Sequence, residues 1–362
     1  MSLYNLSLNN LKTVLESYSG KNFDVILEEY AQREWVRFKT FEFPYPESVE
    51  RSYITELKKL KNLTFSSSDT ASKFIKKQSV IVRGFHHSRY RANPNALKHK
   101  EYRSSCLAYW EAMKENYKLF KKLYLIVLKY CMCDYSVVAK GDYSSIQKGE
   151  VLDAGIYWLA IYYCKPCSIL GYFKPQLAKY IINKYLNDFN IIRDPFSGYS
   201  GRMLGAWSLN KKYVGSDLNT EVVKESNKII DFIVKPVCQK KLNLLPNLTI
   251  FQDDVLNTEL SSIDECLKNK RVALLTCSPY DTREIYNNER VFLSCPEWID
   301  KCLSKFSNYI KDYVFVCDDT VLDSKYSKYI VEDIQNLSPL AYKNRVDLNE
   351  NRRREYIVKI SL

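Results

Sequence analysis

The chain has 362 residues, of which 46% are hydrophobic and 27% are charged, with 10 Gly and 11 Pro. This is ordinary globular usage, so it excludes collagen-like, linker-rich and largely disordered proteins and favours about two domains. The formal net charge of +12 favours an acidic partner such as a nucleic acid.

The sequence shows no membrane-spanning stretch. Its longest apolar runs, residues 123–128 and 154–164, fall short of the roughly 20 residues that a spanning helix needs. The N-terminus, MSLYNLSLNN, lacks the basic and apolar regions of a secretory signal. We therefore expect a cytoplasmic protein whose 11 Cys are reduced thiols.

Residues 1–169 are predicted to be mainly helical. Between positions 104 and 129, apolar residues recur at steps of three and four, which predicts one long helix with a buried stripe. The stripe comprises Leu107, Trp110, Met113, Tyr117, Phe120 and Tyr124. Zinc binding by the cysteines that follow is disfavoured because their spacing is not a standard pairing, and we expect no metal. These cysteines are Cys131, Cys133, Cys164 and Cys167.

Basic charge is concentrated in residues 51–100. This window holds twelve Lys and Arg against two acidic residues, together with all three His. A solvated basic surface is the plainer interpretation, but the local excess favours a polyanionic partner. The predicted nucleic-acid contacts are Arg83, His86, His87, Arg89, Arg91, Lys98, Lys100 and Arg103.

From residue 170 onward, short β-type runs alternate with helical segments. Strands are predicted at residues 191–193, 213–217, 248–252, 271–276, 313–317 and 356–360. Helices are predicted at residues 177–186, 220–234 and 296–309. This alternation predicts an α/β fold with a doubly wound, mostly parallel sheet. Such sheets bind ligands at the carboxyl ends of their strands.

Acidic residues stand where the first three predicted strands end. Asp194 leads into a turn of small residues, and Asp217 ends the second strand 23 positions later. A carboxylate at that spacing is typical of a residue that binds the ribose of an adenosine-type cofactor. Asp253 or Asp254, after the third strand, suits the amino group of adenine. Each acid alone also suits a helix N-cap, so only the three together favour a cofactor site.

The fourth predicted strand ends in TCSPYD, residues 276–281. A Pro fixes the local backbone so that carbonyl groups point into the cleft. The aromatic residue after it, Tyr280, offers a face on which an extruded nucleic-acid base can stack. The end of this strand is therefore predicted to act on a base.

Three segments together resemble the S-adenosylmethionine-dependent amino-methyltransferases of DNA, the N6-adenine and N4-cytosine type. DPFSGYSGRMLGAWSLNKKYVGSDLN is similar to the family's cofactor segment, usually DPFxGSGT followed by a helix and G-x-D/E. TCSPYD is similar to the catalytic tetrapeptide, usually (D/N/S)PP(Y/F/W). The upstream segment FKPQ, residues 173–176, precedes both in the family's order, and the resemblance runs from about residue 170 to the end.

The sequence departs from the family pattern at two places. Ser200 stands where the second Gly of the cofactor turn is usual, and Gly201 follows one place later. Cys277 and Ser278 stand where the tetrapeptide's first residue and first Pro are usual. A frame shifted by one would put Ser278 first but would delete a Pro. These departures leave open a non-catalytic nucleic-acid-binding protein that keeps the fold.

The resemblance implies a Rossmann-like doubly wound methyltransferase domain at residues 170–362. It also implies a mainly helical, basic domain for nucleic-acid binding and target recognition at residues 1–169. The implied activity is methyl transfer from S-adenosylmethionine to the exocyclic amine of adenine or cytosine in DNA, with base flipping, as in restriction-modification systems. The implied catalytic residues are Cys277, Ser278, Pro279 and Tyr280. The implied cofactor-binding residues are Phe173, Pro175, Asp194, Phe196, Ser197, Gly198, Gly201, Asp217, Leu218 and Asp254.

Alternatives to this interpretation remain at the sequence level. The basic N-terminal region does not separate DNA from RNA, so an RNA amino-methyltransferase stays open. A nicotinamide-dependent oxidoreductase is disfavoured, because the turn carries Gly198-x-x-Gly201 rather than G-x-G-x-x-G. The choice between adenine and cytosine also stays open.

Overall fold

The computed structural model describes residues 20–45, 50–75, 78–90, 106–131, 172–234, 248–257, 259–277, 285–286, 289–290, 293–335 and 354–362, with the single positions 16, 154, 157 and 161. The chain forms two compact units. A helical unit contains residues 1–45 and 89–170, and a sheet unit contains residues 46–88 and 171–362. Among the described helices, none is long and apolar enough to cross a bilayer.

The helical unit is built on three helices: α1 (Phe23–Phe38), α4 (Cys106–Glu115) and α5 (Tyr117–Cys131). The side chain of Asn22 caps α1 by accepting a hydrogen bond from the Asp24 amide. Trp110, Met113, Phe120 and Tyr124 of the predicted stripe are buried in this unit's core. The prediction of one long helix is wrong, because the helix breaks at Asn116. The side-chain oxygen of Asn116 accepts a hydrogen bond from the Leu119 amide at 3.1 Å and so starts α5.

The sheet unit contains most of the described secondary structure. Its helices are α2 (Glu50–Asn62), α3 (Val80–Phe85), α6 (Pro175–Tyr185), α7 (Gly201–Ser208), α8 (Thr220–Val234), α9 (Ser262–Glu265) and α10 (Cys295–Phe306). Its strands are β1 (Ile191–Asp194), β2 (Lys212–Asp217), β3 (Leu248–Gln252), β4 (Val272–Cys277), β5 (Ile285–Tyr286), β6 (Glu289–Arg290), β7 (Asp312–Cys317), β8 (Ile330–Gln335) and β9 (Arg354–Ser361).

Seven strands form one sheet in the order β3-β2-β1-β4-β7-β9-β8, and β5 pairs with β6 in a separate hairpin. The pairs from β3 to β7 are parallel, whereas β9 runs antiparallel to both of its neighbours. One face of the sheet packs against α6, α7 and α8, and the other packs against α10. The predicted doubly wound, Rossmann-like α/β sheet is therefore confirmed.

All six predicted strands are present, with ends that agree to within two residues. Strand β8 was not predicted, because its sequence IVEDIQ lacks a continuous apolar pattern. It lies at the edge of the sheet, and a bulge between Ile330 and Glu332 disturbs its alternation. Within it, Ile334 is buried whereas Val331 is exposed.

The observed units differ from the predicted division at residues 1–169 and 170–362 in one segment. The boundary near residue 170 agrees with the prediction, but residues 46–88 belong to the sheet unit rather than to the helical unit. Apolar side chains of α2 and α3, including Leu57 and Ile81, lie in the same core as α6 and β1. Burying these side chains requires the sheet unit, because α2 and α3 are too short to form a core by themselves.

A buried lysine and a half-buried glutamate fix this segment to the sheet unit. The Lys179 ammonium donates to the carbonyl oxygens of Leu60, Lys61 and Leu63 at 2.6–2.8 Å, at the carboxyl end of α2. Burial lowers the pKa of Lys179 to about 8. The Glu332 carboxylate of β8 accepts a hydrogen bond from the Ala71 amide. Both contacts satisfy backbone groups at helix ends, where partners within the helix are lacking.

Candidate functional site

The site is centred on the turn between β1 and α7, which we call the cofactor turn (residues 194–201). Two of its residues have left-handed backbone conformations, Gly198 at φ 52° and Ser200 at φ 63°. Gly adopts this conformation at little cost, whereas other L-residues do so with strain. The turn delivers the chain into the N-terminus of α7 at Gly201, where unpaired amides and the helix dipole favour negative charge.

Gly201 lets the upstream segment approach the cofactor turn closely. A Cβ atom at Gly201 would overlap the carbonyl oxygen of Phe173. Phe173 lies two residues before Pro175, which begins α6. The Arg202 guanidinium also stacks on the Phe173 ring, with its Cζ atom 4.9 Å from the ring centroid. The structure thus brings together the upstream segment and the turn, which the family resemblance places in one site.

Asp194, the first residue of the turn, is fully buried and forms hydrogen bonds with the turn and with neighbouring strands. One carboxylate oxygen accepts from the Thr276 hydroxyl at 2.7 Å and from the Phe196 amide at 3.2 Å. The other accepts from Arg202 Nε and the Tyr213 hydroxyl, both at 2.6 Å. Both oxygens are thus engaged by protein donors, and the cofactor contact of Asp194 stays a prediction.

Asp217 ends β2 beside the turn and is 5% exposed. Its Oδ2 accepts a hydrogen bond from the Gly198 amide and its Oδ1 accepts one from the Asn219 amide, both at 2.9 Å. Burial outweighs these bonds and raises the pKa of Asp217 to about 6. Each carboxylate oxygen keeps a second lone pair, so Asp217 has the capacity to accept the two hydroxyls of a ribose. Leu218, the next residue, is half-buried.

The Ser197 hydroxyl is a buried polar group of the turn. Ser197 is 1% exposed, and its Oγ finds no hydrogen-bond partner among the residues that the structure describes. Its backbone amide donates to the Ser216 carbonyl at 2.8 Å, so the residue itself is well fixed. A buried hydroxyl without a partner is uncommon and often marks a bound group. The residues present thus fit an adenosine-type cofactor.

The acid pair after β3 divides into two roles. Asp253 Oδ2 lies 3.2 Å from the buried Lys305 ammonium, whereas Asp254 is exposed and uses one oxygen to accept from the Leu256 amide at 2.9 Å. The sequence left these two acids as alternatives for the amino group of adenine. The geometry favours Asp254, because Asp253 is engaged with Lys305.

A buried ion pair supports β1 from the opposite side of the sheet. Arg193 is fully buried and donates from Nε to Asp264 Oδ1 at 2.7 Å. Its guanidinium lies 5.2 Å and 5.3 Å from the ring centroids of Phe251 and Phe306. The ion pair keeps the Arg193 charge partnered, which a buried charge requires. Sequence reasoning missed it, because an Arg inside a buried strand gives no signal of its partner.

The predicted catalytic residues begin at the carboxyl end of β4. Cys277 is the last residue of that strand and is half-buried. Strand β4 is hydrogen-bonded to β1, so Cys277 ends at the same edge of the sheet as Asp194. Ser278, Pro279 and Tyr280 lie outside the described residues, and their assignment stays a prediction.

The predicted nucleic-acid contacts fall into three groups. Arg83 and His87 are half-buried. His86 is fully buried, with Nε2 2.8 Å from the Ser200 hydroxyl. The prediction of a surface contact by His86 is therefore corrected to a buried contact with the cofactor turn. The remaining predicted contacts lie outside the described side chains: Arg89, Arg91, Lys98, Lys100 and Arg103.

The four cysteines considered as zinc ligands lie outside the described side chains. Cys131 ends α5, but its side chain is outside the described part, as are Cys133, Cys164 and Cys167. Within the described residues, no cluster of His, Cys, Asp or Glu side chains is arranged to hold a metal ion.

Comparisons with known proteins give distant structural similarity alone. No family model and no curated protein matches the sequence. A Thermoplasma acidophilum protein is similar at 12% identity and TM-score 0.33 over 51% of this chain and 88% of that one. An rRNA methylase from Streptococcus thermophilus is similar at 12% identity and TM-score 0.31 over 53% and 99%. A dimethyladenosine transferase from Plasmodium falciparum is similar at 14% identity and TM-score 0.31 over 52% and 62%. Similarity at this level assigns no family to the chain.

Proposed function

We propose that this protein transfers a methyl group from S-adenosylmethionine to the exocyclic amine of adenine or cytosine in DNA. One observation carries the cofactor part of the proposal. The Asp217 carboxylate is tied by the Gly198 amide to a left-handed turn, and it keeps lone pairs for a ribose. A ribose-binding carboxylate next to such a turn is typical of adenosine-containing cofactors on parallel sheets.

The residues that would hold the cofactor lie at the carboxyl ends of β1, β2 and β3. Asp217 would accept the ribose hydroxyls, and the Ser197 hydroxyl would gain the partner that it lacks among the described residues. Asp254 would accept the amino group of adenine. When bound, S-adenosylmethionine supplies an electrophilic methyl group to a base amine. The N-terminus of α7 would favour the negatively charged end of the ligand.

The base-binding part of the proposal rests on the end of β4. Backbone carbonyls near Ser278 and Pro279 would accept hydrogen bonds from the target amine and align its lone pair for reaction. Tyr280 would stack on the extruded base, and stacking of this kind contributes about 1–3 kcal/mol per base. Alignment of two reactants accounts for much of the rate in such a site. The same loop favours methyl transfer over hydride transfer, in which Pro279 and Tyr280 have no evident role.

The partner is proposed to be a nucleic acid because of the basic segment. Replacing Arg83, Arg89 and Arg91 together with Gln should weaken DNA binding. It should also reduce the slope of log affinity against log salt by about 0.9 for each phosphate group that the protein no longer neutralises. Filter binding at several salt concentrations measures this slope. An unchanged slope would mean that these arginines face solvent or protein.

A single-turnover assay tests the function directly. The protein is mixed with S-adenosylmethionine carrying a labelled methyl group and, in separate arms, with mixed-sequence DNA and mixed-sequence RNA. Nucleoside analysis then identifies the methylated base. We expect labelled N6-methyladenine or N4-methylcytosine in DNA, and none with Asp217→Ala. Label found only in RNA would replace the DNA substrate, whereas no label in either arm, with a cofactor that binds, would favour a non-catalytic binding protein.

A further inference from the structure

The left-handed residue Ser200 poses a conformational problem that the rest of the cofactor turn does not. It has φ 63° and ψ 5°, a conformation in which a Cβ atom crowds the backbone. In the methyltransferase family that the sequence resembles, the corresponding residue is usually Gly, which carries no Cβ. A strained residue persists only when its surroundings hold it in place. The surroundings of Ser200 therefore identify what stabilises the turn.

The Ser200 side chain is held by two hydrogen bonds. His86 Nε2 lies 2.8 Å from its Oγ, and the hydroxyl donates to Ser226 Oγ at 2.7 Å. Ser200, His86 and Ser226 are all fully buried. Because buried polar groups depend strongly on their partners, these bonds favour the one backbone conformation that presents the hydroxyl to both. A Gly at this position would have no such attachment.

His86 is itself fixed by Glu225 of α8. Its Nδ1 lies 3.2 Å from Glu225 Oε2, and the other oxygen of Glu225 accepts from the Ser88 amide at 2.9 Å. Burial raises the pKa of Glu225, but hydrogen bonds from His86 and Ser88 outweigh it and bring the pKa below its usual value. The carboxylate thus stays charged at neutral pH and orients the imidazole ring toward the turn.

We propose that His86 is a positioning residue that holds the cofactor turn in its binding conformation through Ser200. The proposal rests on the proposed function, since it assigns the turn to S-adenosylmethionine. It gives His86, the residue between α3 and the 3-10 helix His87–Tyr90, a role in the cofactor site rather than in contact with nucleic acid. It also accounts for the presence of Ser where Gly is usual, because a side-chain attachment replaces the conformational freedom that Gly would supply.

Two isosteric substitutions separate the two contacts of His86. In His86→Gln the side-chain amide reaches the position of Nε2 and keeps a hydrogen-bonding group toward Ser200. In His86→Asn it reaches only the position of Nδ1 and keeps the contact with Glu225. We expect His86→Asn to weaken S-adenosylmethionine binding about tenfold, equivalent to about 1.4 kcal/mol, and His86→Gln to stay within about threefold of wild type. Calorimetry gives the dissociation constants.

Amide hydrogen exchange on the cofactor-free protein gives a second readout. The amides of Gly198–Leu204 should exchange about tenfold faster in His86→Asn than in His86→Gln. In a Ser200→Gly background, where the backbone needs no attachment, His86→Asn should weaken cofactor binding by less than about threefold. Glu332→Ala is the matched control, because it removes the acceptor of the Ala71 amide and so loosens the same segment without a contact to the turn.

Three results would overturn the role of His86. These are equal effects of the His86→Gln and His86→Asn variants, an undiminished effect of His86→Asn beside Ser200→Gly, or an equal loss of affinity in Glu332→Ala. A wild-type protein that does not bind S-adenosylmethionine would instead refute the proposed function. The exchange comparison would still decide whether His86 holds the turn.

Discussion

The raised pKa of Asp217 makes cofactor binding dependent on pH in a range where few other carboxylates titrate. Burial raises this pKa to about 6. A ribose donates its hydroxyl hydrogens, so it binds best to the ionised carboxylate, whose lone pairs accept them. At pH 5 about a tenth of the molecules would carry the ionised form, which follows from a pKa one above the pH. Affinity for S-adenosylmethionine should therefore be about tenfold lower at pH 5 than at pH 7.

The raised pKa of Asp217 also makes the stability of the cofactor-free protein depend on pH, but in the opposite direction: stability falls as the pH rises. A folded-state pKa above the unfolded value of 3.8 means that the folded protein holds the proton more tightly. This contribution to stability is fully present below pH 3.8 and is lost as the pH rises through about 6. A rise from 3.8 to about 6 corresponds to about 3 kcal/mol. Ionisation of Asp217 thus favours cofactor binding and lowers the free energy of unfolding of the cofactor-free protein.

Asp217→Asn isolates both effects, because an amide does not titrate. Calorimetry should show weak binding that is independent of pH between 5 and 7.5 in this variant. Urea unfolding should show that the stability of wild type relative to Asp217→Asn falls by up to about 3 kcal/mol between pH 4 and pH 7. A wild-type affinity that is flat from pH 5 to 7.5, or a variant that keeps the wild-type pH dependence, would refute the ribose-binding role of Asp217.

Gly201→Ala should abolish cofactor binding in calorimetry, because the new Cβ overlaps backbone of the upstream segment, whereas Gly198→Ala adds only left-handed strain of about 1–2 kcal/mol; equal binding in both would contradict this. Asp264→Ala should lower the free energy of unfolding in urea by up to about 3–5 kcal/mol, because it removes the nearest carboxylate from the buried Arg193 and leaves the more distant Asp253 carboxylate at 3.8 Å; a loss below about 1 kcal/mol would argue against the buried ion pair. Tyr280→Ala should slow single-turnover methyl transfer by about 5- to 150-fold, equivalent to about 1–3 kcal/mol of stacking. Tyr280→Phe should retain most activity, and equal rates or losses that track melting temperature would exclude base stacking.

The sheet was predictable because its strands are buried on both faces. Parallel strands between two helical layers are continuous apolar runs bounded by turn residues, which a sequence shows directly. The cofactor turn was predictable for a similar reason, since its small residues and flanking acids are close in sequence. Asp217 and Gly198, which the structure joins by a hydrogen bond, are separated by only one helix and one strand.

The contacts that sequence reasoning missed are those between distant parts of the chain. His86 and Ser200 are 114 positions apart, and no spacing rule links them. The adjacent pair His86-His87 in a basic window predicted contacts with nucleic acid. His86 is instead buried against Glu225 of α8. The break at Asn116 was missed because an apolar stripe continues on both sides of it, so periodicity alone cannot locate the cap.

The discontinuous composition of the sheet unit has a consequence for synthesis on the ribosome. Glu332, which accepts a hydrogen bond from the Ala71 amide, is synthesised 261 residues after Ala71. At 5–20 residues per second, this synthesis takes about 13–50 s. During that time the apolar side chains of α2 and α3 have no sheet to cover them. Contacts this distant along the chain also slow folding, because a long loop must close before they form. A fragment of residues 170–362 would lack both α2 and α3. Its sheet should therefore expose apolar surface, and we expect the fragment to aggregate.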